Sequence, residues 1–494
     1  MRKTTIALFA IILFISACSS NQTTDLPTAT EPVFITLPVT DTPAAPTETA
    51  LPTNTPLPAL DRAKYILDTT IDYDAHTVTV DETILYPNQT GSQLNALVLA
   101  VTPNLWDGSF ALNSITIDGE PLTTYTLDGQ RLDLSLASFL PSGRVTEIKL
   151  QYTLTLPFAE QEDPNVSRPR IYGYTSRQIN LVNWYPFVVP NINGEWILHD
   201  PWFYGEHLVY DSADYEVNLK FTDPATAPIV AASGVPEALP DGTRYTLTSA
   251  RTFALSASRE FQTSSTQVGD VSLTSYYFAF NERGGQAALQ ASAQALQVYS
   301  SLYGAYPHKS LAIVMGDFND GMEYSAFFYL SKDFYNLYDG TPANYLTFVA
   351  VHETAHQWWF EQVASDQALQ PWLDESLATY SERLYYENTQ PDLVSWWWIY
   401  RIDFYKPEGF VDIPIYEGEG FRTYTNATYF QGAHFLEKVR ERVGDEAFFA
   451  FVQDYLNQGR GKIVTANDFF RILRSHTGAD LSDLINQYFR SVYQ

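Results

Sequence analysis

From about Leu60 to about Val268, hydrophobic and polar positions alternate with a period of two. Ile148, Leu150, Tyr152, Leu154 and Leu156 alternate with Lys149, Gln151, Thr153 and Thr155, and Tyr215, Val217, Leu219 and Phe221 alternate with Glu216, Asn218 and Lys220. That alternation sets one face of a strand on a core and the other in water. Turn signals recur between the runs at Pro87-Asn88, Asp118-Gly119, Asp128-Gly129 and Pro240-Asp241-Gly242. The segment therefore predicts an all-β domain, a sandwich or saddle of antiparallel sheets. After Asp270 the period changes. A strand over 271–280 leads into an Ala/Gln/Leu-rich helix over 285–302, and a short apolar run, Leu311 to Met315, predicts another strand. Helical patterns follow over 345–363, 373–388, 430–443, 445–457, 466–475 and 481–492. The fold expected is an α+β multidomain chain: an N-terminal β domain over 61–268, then an α+β domain over 269–494 that is mostly helical towards its end.

Two segments precede these domains. Arg2 and Lys3 form a short basic region, and Ile6 to Ile15 is an apolar run of ten residues. Spanning a bilayer takes about 20 residues, so the run is too short to cross and has the length of a signal-peptide core. It ends in Ile15-Ser16-Ala17-Cys18, which resembles the bacterial lipobox, so residues 1–18 are expected to be a lipoprotein signal peptide with Cys18 lipidated. Residues 19–60 are expected to be a disordered linker. Positions 21–60 hold eight prolines, eleven threonines, four acidic residues and no Lys or Arg, a composition that favours an extended tether over a packed element. The expected location is the cell envelope, at the outer face of a bacterial membrane, with the lipid anchor holding the domains clear of the surface.

Charge narrows the partners. Lys and Arg number 29 against 57 Asp and Glu, a net charge of −28, whereas binding nucleic acid requires clustered cations. No nucleic-acid partner and no obligate protein partner are expected. With one cysteine, Cys18, the chain has no intramolecular disulfide and no thiolate metal site, so a metal here must sit on His and carboxylates.

Such a set is present. Val351-His352-Glu353-Thr354-Ala355-His356 contains HExxH in a helical pattern. Four residues make slightly more than one turn, so His352 and His356 leave one face and can bind one Zn²⁺. Glu353 lies close enough to take a proton from a water at the metal. Eighteen residues separate His356 from Glu375, in Pro371-Trp372-Leu373-Asp374-Glu375-Ser376, where a second helix could return a carboxylate as third ligand. Glu382, seven residues past Glu375, lies on the same helical face and could orient a zinc-bound histidine, or simply face solvent. The Trp396-Trp397-Trp398 run reads as core.

These motifs resemble the zinc gluzincins of the aminopeptidase N and leukotriene-hydrolase type, whose pattern is HExxH, eighteen residues, then Glu within WLNEG. The matching string here is WLDES. Further likenesses follow in family order: Trp184-Tyr185-Pro186, Tyr303-Gly304-Ala305-Tyr306-Pro307, Gly321-Met322-Glu323-Tyr324 in the GMEY form, and Tyr429-Phe430-Gln431-Gly432-Ala433. The resemblance implies a thermolysin-like catalytic domain that holds one Zn²⁺ on His352, His356 and Glu375. It implies Glu353 as general base, Tyr429 as oxyanion stabiliser, Glu323 as the group binding a free α-ammonium, and the backbone of Gly321 and Met322 as a platform for an extended peptide. Tyr324 and Gln431 depart from the family's usual Asn and Lys, no second residue for holding the amine is identifiable, and no C-terminal helical domain is expected. The expected function is an aminopeptidase acting on extracellular oligopeptides. The alternatives are an endopeptidase or other hydrolase on the same site, or a non-catalytic surface binding module.

Overall fold

The computed structural model describes residues 62–159, 171–318, 321–418 and 420–493. The expected signal peptide, Cys18 and the linker lie outside these residues.

The period-two segments form the expected strands. Val145–Thr155 pairs antiparallel with Thr77–Pro87 and with Phe110–Ile117 inside an eight-stranded sheet. Its inward residues Ile148, Leu150, Tyr152 and Leu154 are fully buried. One pair departs from the antiparallel expectation. Ala63–Asp72 runs parallel to Ala213–Phe221, because the first strand of the domain inserts between its antiparallel partner and a strand from much later in the chain. Two four-stranded sheets close the other side of the core.

A five-stranded sheet opens the second half, in the order Phe261–Val268, Val271–Phe278, Ser310–Gly316, Phe327–Ser331, Met322–Tyr324. Its first hairpin straddles the domain boundary expected at Val268. Phe261–Val268 pairs along its whole length with Val271–Phe278, so the Gly269-Asp270 step is a tight hairpin turn and the second-half sheet begins at Phe261. Helices Glu282–Tyr303 and Tyr345–Ala355 pack on this sheet, Trp372–Thr389 packs on both of them, and Gly432–Val443, Asp445–Gly459 and Ala466–Ser475 build the helical end. The two halves share polar ties. The buried Arg251 of the first half donates to the Glu361, Gln362 and Lys462 carbonyls at 3.2, 3.4 and 3.0 Å. The Ser325 hydroxyl accepts from the Arg251 and Thr252 amides at 2.9 Å each.

Two expected helices differ. The helix predicted over 345–363 ends at Ala355, and residues 357–363 are buried as an irregular segment. There the Phe360 amide bonds Val363 O at 3.0 Å and the Val363 amide bonds Trp358 O at 3.1 Å, which satisfies the backbone without a helix. Before Gly432, residues Asn426–Gln431 form a π-helical turn that presents Tyr429.

Candidate metal centre and substrate cleft

The HExxH helix is started by Asn344, whose side chain accepts from the Thr347 amide at 3.0 Å. This helix carries His352 near its end and His356 at its C-cap. The next helix, Trp372–Thr389, carries Glu375 in its first turn and Glu382 two turns on. The two helices bring three ligand atoms together. His352 Nε2 lies 3.1 Å from His356 Nε2 and 3.2 Å from Glu375 Oε2, and His356 Nε2 lies 3.7 Å from that oxygen.

The far sides of both imidazoles are fixed. His352 Nδ1 meets Glu382 Oε1 at 2.9 Å, while His356 Nδ1 meets Asp374 Oδ1 at 2.6 Å and the Trp359 carbonyl at 3.1 Å. Proton acceptors at Nδ1 place the imidazole proton there, so each neutral ring turns a bare Nε2 lone pair towards the other. Two such lone pairs and a carboxylate oxygen repel unless a cation sits among them. Zinc bonds of about 2.0–2.2 Å at tetrahedral angles separate ligand atoms by about 3.3–3.6 Å, within a few tenths of an ångström of the 3.1, 3.2 and 3.7 Å seen. The donor set thus fits a zinc ion.

Charge in the cluster shows the same strain. Burial pulls His352 down, but its bonds to Glu375 and Glu382 outweigh this and hold it up at about 9. His356 behaves likewise: burial opposes protonation, and Asp374 and Glu323 reverse the sign. Burial raises Glu375, yet its contacts with the two histidines bring it below the ordinary carboxylate range.

The remaining predicted residues line one cleft of about 600 Å³ around these ligands. Glu353 is buried on the same helix. Gly321 sits against it, since a Cβ there would come within 3.3 Å of Glu353 Oε1. Met322–Tyr324 is the last strand in the order of the five-stranded sheet and pairs antiparallel with Phe327–Ser331. Its Glu323 is buried, and burial pushes this carboxyl well above its usual range. Tyr429 stacks on His352 with ring centroids 6.0 Å apart, and its hydroxyl faces Glu375. Burial and that carboxylate keep the phenol protonated, hence a donor.

Several participants were not legible in the sequence. Asp374, next to Glu375, holds His356 and accepts from Gln367 Nε2 at 2.8 Å, and Gln367 also donates to Glu323 Oε1 at 3.2 Å. Trp397 and Arg401 hold Glu382: Trp397 Nε1 donates at 2.8 Å, and Arg401 Nε and Nη2 donate at 2.9 Å each. Glu206, from an irregular loop of the first half, lines the cleft. Burial and repulsion from Glu375 and Glu323 push its carboxyl well up. Asp374 had a signal, being a second acid adjacent to a ligand, whereas Glu206 and Arg401 had none. His434 does not line the cleft and pairs with Asp403 at 2.9 Å, while His199, His207 and His308 face Asp366, Gln130 and Glu361.

Residues 287–488 match the model of the peptidase family M1 domain. The second half of the chain thus carries an M1-type peptidase domain. The chain is 24% identical over 228 residues to "Aminopeptidase 2, mitochondrial" of Saccharomyces cerevisiae, an alignment covering 43% of this chain and 24% of that one. It is likewise 24% identical over 153 residues to the "Alanine/arginine aminopeptidase" of the same yeast, covering 29% of this chain and 18% of that one. This chain therefore spans about a quarter or less of these relatives. In fold it is similar to an M1 zinc metallopeptidase from Deinococcus radiodurans crystallised as a mutant with a Tyr-Ser-Ala substrate. There the TM-score is 0.65 and the identity 19%, with 88% of this chain and 95% of that chain covered. The same bacterium's enzyme without that mutation gives a TM-score of 0.63 at 19% identity, with the same coverage of 88% and 95%. The β domain followed by an α+β peptidase domain is thus the two-domain M1 arrangement.

Proposed function

We propose that this chain is a zinc-dependent aminopeptidase that removes N-terminal residues from oligopeptides outside the cell. The observation that carries the reading is the set of three converging ligand atoms with a buried carboxylate, Glu353, beside them. A zinc ion held by His352, His356 and Glu375 would polarise the scissile carbonyl and lower the pKa of the attacking water towards about 7. Glu353 takes the proton from that water and returns it to the leaving amine. Tyr429 donates its hydroxyl to the oxygen on which negative charge develops. The extended peptide lies along the outermost strand Met322–Tyr324 as an added strand, with the backbone of Gly321 and Met322 as its platform.

The amine end is read from charge. Glu323 and Glu206 share a buried corner with Asp374, and burial, with repulsion from Asp374 and Glu375, raises both glutamates. A substrate α-ammonium placed there relieves both penalties, while an acylated N-terminus leaves the carboxylates unpaired. Glu206 supplies the second amine contact for which the sequence offers no candidate. Lipidation at Cys18 anchors the enzyme at the outer face of the membrane, within reach of extracellular peptides. The test compares free and N-acetylated peptides of one sequence. Hydrolysis confined to the free peptides supports the reading. Equal rates on both would remove the amine role of Glu323 and leave an endopeptidase on the same site.

A further inference from the structure

The HExxH helix ends at Ala355, His356 caps it, and the irregular stretch that follows has two features that cost stability. Phe360 is buried with φ at 124°, a region that favours glycine. Gln357, Glu361 and Gln362 carry polar side chains into the core. Strain of this kind persists where the surroundings impose it. Gln357 shows what the stretch is shaped to do. Its Oε1 accepts from the Ala326 amide at 2.9 Å, and its Nε2 donates to the Tyr324 carbonyl at 3.0 Å. One side-chain amide thus offers the backbone a donor and an acceptor together, as a neighbouring strand would. The backbone it holds is the turn that follows Glu323. Ser325 and Ala326 join Met322–Tyr324 to Phe327–Ser331, and Ala326 sits at φ 55°. Glu361, from the same stretch, accepts from the Ser325 hydroxyl, and Thr252 of the first half accepts from the Ser325 amide at 3.1 Å. The turn is clamped from three sides.

A fixed span results. His356 and Gln357 are adjacent, so one residue belongs to the metal set and the next holds the strand of Glu323. A Glu323 carboxylate oxygen lies within 4.8 Å of a His356 ring nitrogen. An α-amino acid presents its amine and its carbonyl on a single carbon, so a site that reads both must keep its own two halves at one separation. We propose that Gln357 is a positioning residue that sets the separation between the metal ligands and Glu323, and with it the restriction of cleavage to the first peptide bond. Gln357 is fully buried and does not line the cleft, so it acts through the backbone of Tyr324 and Ala326. Gln367, by contrast, bonds the Glu323 carboxylate itself. The proposal deepens the aminopeptidase reading and rests on it for the role of Glu323.

The test is binding, measured by calorimetry on zinc-loaded protein with two ligands, leucine hydroxamate and its des-amino analogue, isocaproyl hydroxamate. Both offer the metal the same group, and only the first carries an amine to reach Glu323. In the wild-type protein the amine is expected to tighten binding at least about tenfold, the gain of a charge-assisted contact. Gln357→Met fills a similar volume without bonding the turn. It should close most of that gap, because a misplacement of about 1 Å can cost on the order of 10²-fold. Zinc content and the affinity for isocaproyl hydroxamate should stay as they are. Gln357→Glu still accepts from the Ala326 amide but turns an oxygen on the Tyr324 carbonyl, so its gap should be intermediate. Thermal melts check folding, and if Gln357→Met does not fold, Gln357→Glu carries the test alone. A gap in a folded variant that stays within about twofold of wild type overturns the proposal and leaves the aminopeptidase reading in place. An equal loss for both hydroxamates also overturns it, since the effect would then lie at the metal alone. Equal binding of the two ligands by the wild-type protein rejects the aminopeptidase reading and the proposal with it.

Discussion

Glu382→Gln isolates what supports the metal centre. The wild-type carboxylate is fully buried and uses both oxygens twice: Oε1 accepts from His352 Nδ1 and Arg401 Nη2, and Oε2 accepts from Trp397 Nε1 and Arg401 Nε. Glutamine fills the same volume, but whichever way its amide turns, an NH₂ group faces two donors. The Arg401 charge, with its side chain 13% exposed, also loses its counter-ion. Breaking a buried pair from one side costs about 3–5 kcal/mol, and losing the group that orients a ligand costs about 10–100-fold in metal affinity. Denaturant unfolding of the zinc-free protein measures the first quantity, and competition with a zinc chelator measures the second. Adding Arg401→Met should recover part of the stability, because the orphaned charge is gone, without recovering the zinc affinity. Stability within about 1 kcal/mol of wild type, with unchanged zinc affinity, would refute the reasoning that Glu382 holds both Arg401 and His352.

Further outcomes can be checked separately. Glu353→Ala should lower peptide hydrolysis by at least about 10²–10⁴-fold while zinc remains bound, read by kinetics and metal analysis together. Tyr429→Phe should cost about 10²–10³-fold in kcat with little change in KM or in the melt, as expected of a donor used in the transition state. Glu82, buried in the β domain, has its carboxyl pushed well above the usual range by that burial. The folded chain therefore keeps a proton that the unfolded chain has lost. Stability should fall as pH rises from the ordinary carboxylate range, by up to about 1.4 kcal/mol per pH unit, and level off above the folded pKa. Glu82→Gln should flatten this fall and raise stability at neutral pH, checked by denaturant unfolding at a series of pH values.

The ligands were legible because their signals are local. HExxH needs only the helical period, and Glu375 needs only a second helix starting near Trp372. Glu323 and Tyr429 were legible through motif strings and not through any period. What escaped the sequence depends on tertiary placement. Arg401 reaches Glu382 from a π-helical turn, Trp397–Ile402, and Glu206 comes from a loop without regular spacing. The same limit explains the overlong helix after Ala355. Trp358, Trp359 and Phe360 are hydrophobic because they are buried, and burial alone does not separate a helix from an irregular core segment. The Trp396–Trp398 run read as core, and Trp397 is buried, yet its indole N–H also holds the group that holds His352.

The most direct test of the centre is X-ray absorption at the zinc edge on purified protein after dialysis, alongside metal analysis of Glu375→Ala. One zinc per chain with two nitrogens at about 2.0–2.1 Å and a carboxylate oxygen at about 2.0–2.2 Å, lost in the variant, is the expected result. Protein that retains no zinc, or zinc whose ligation does not change when Glu375 is removed, would contradict it.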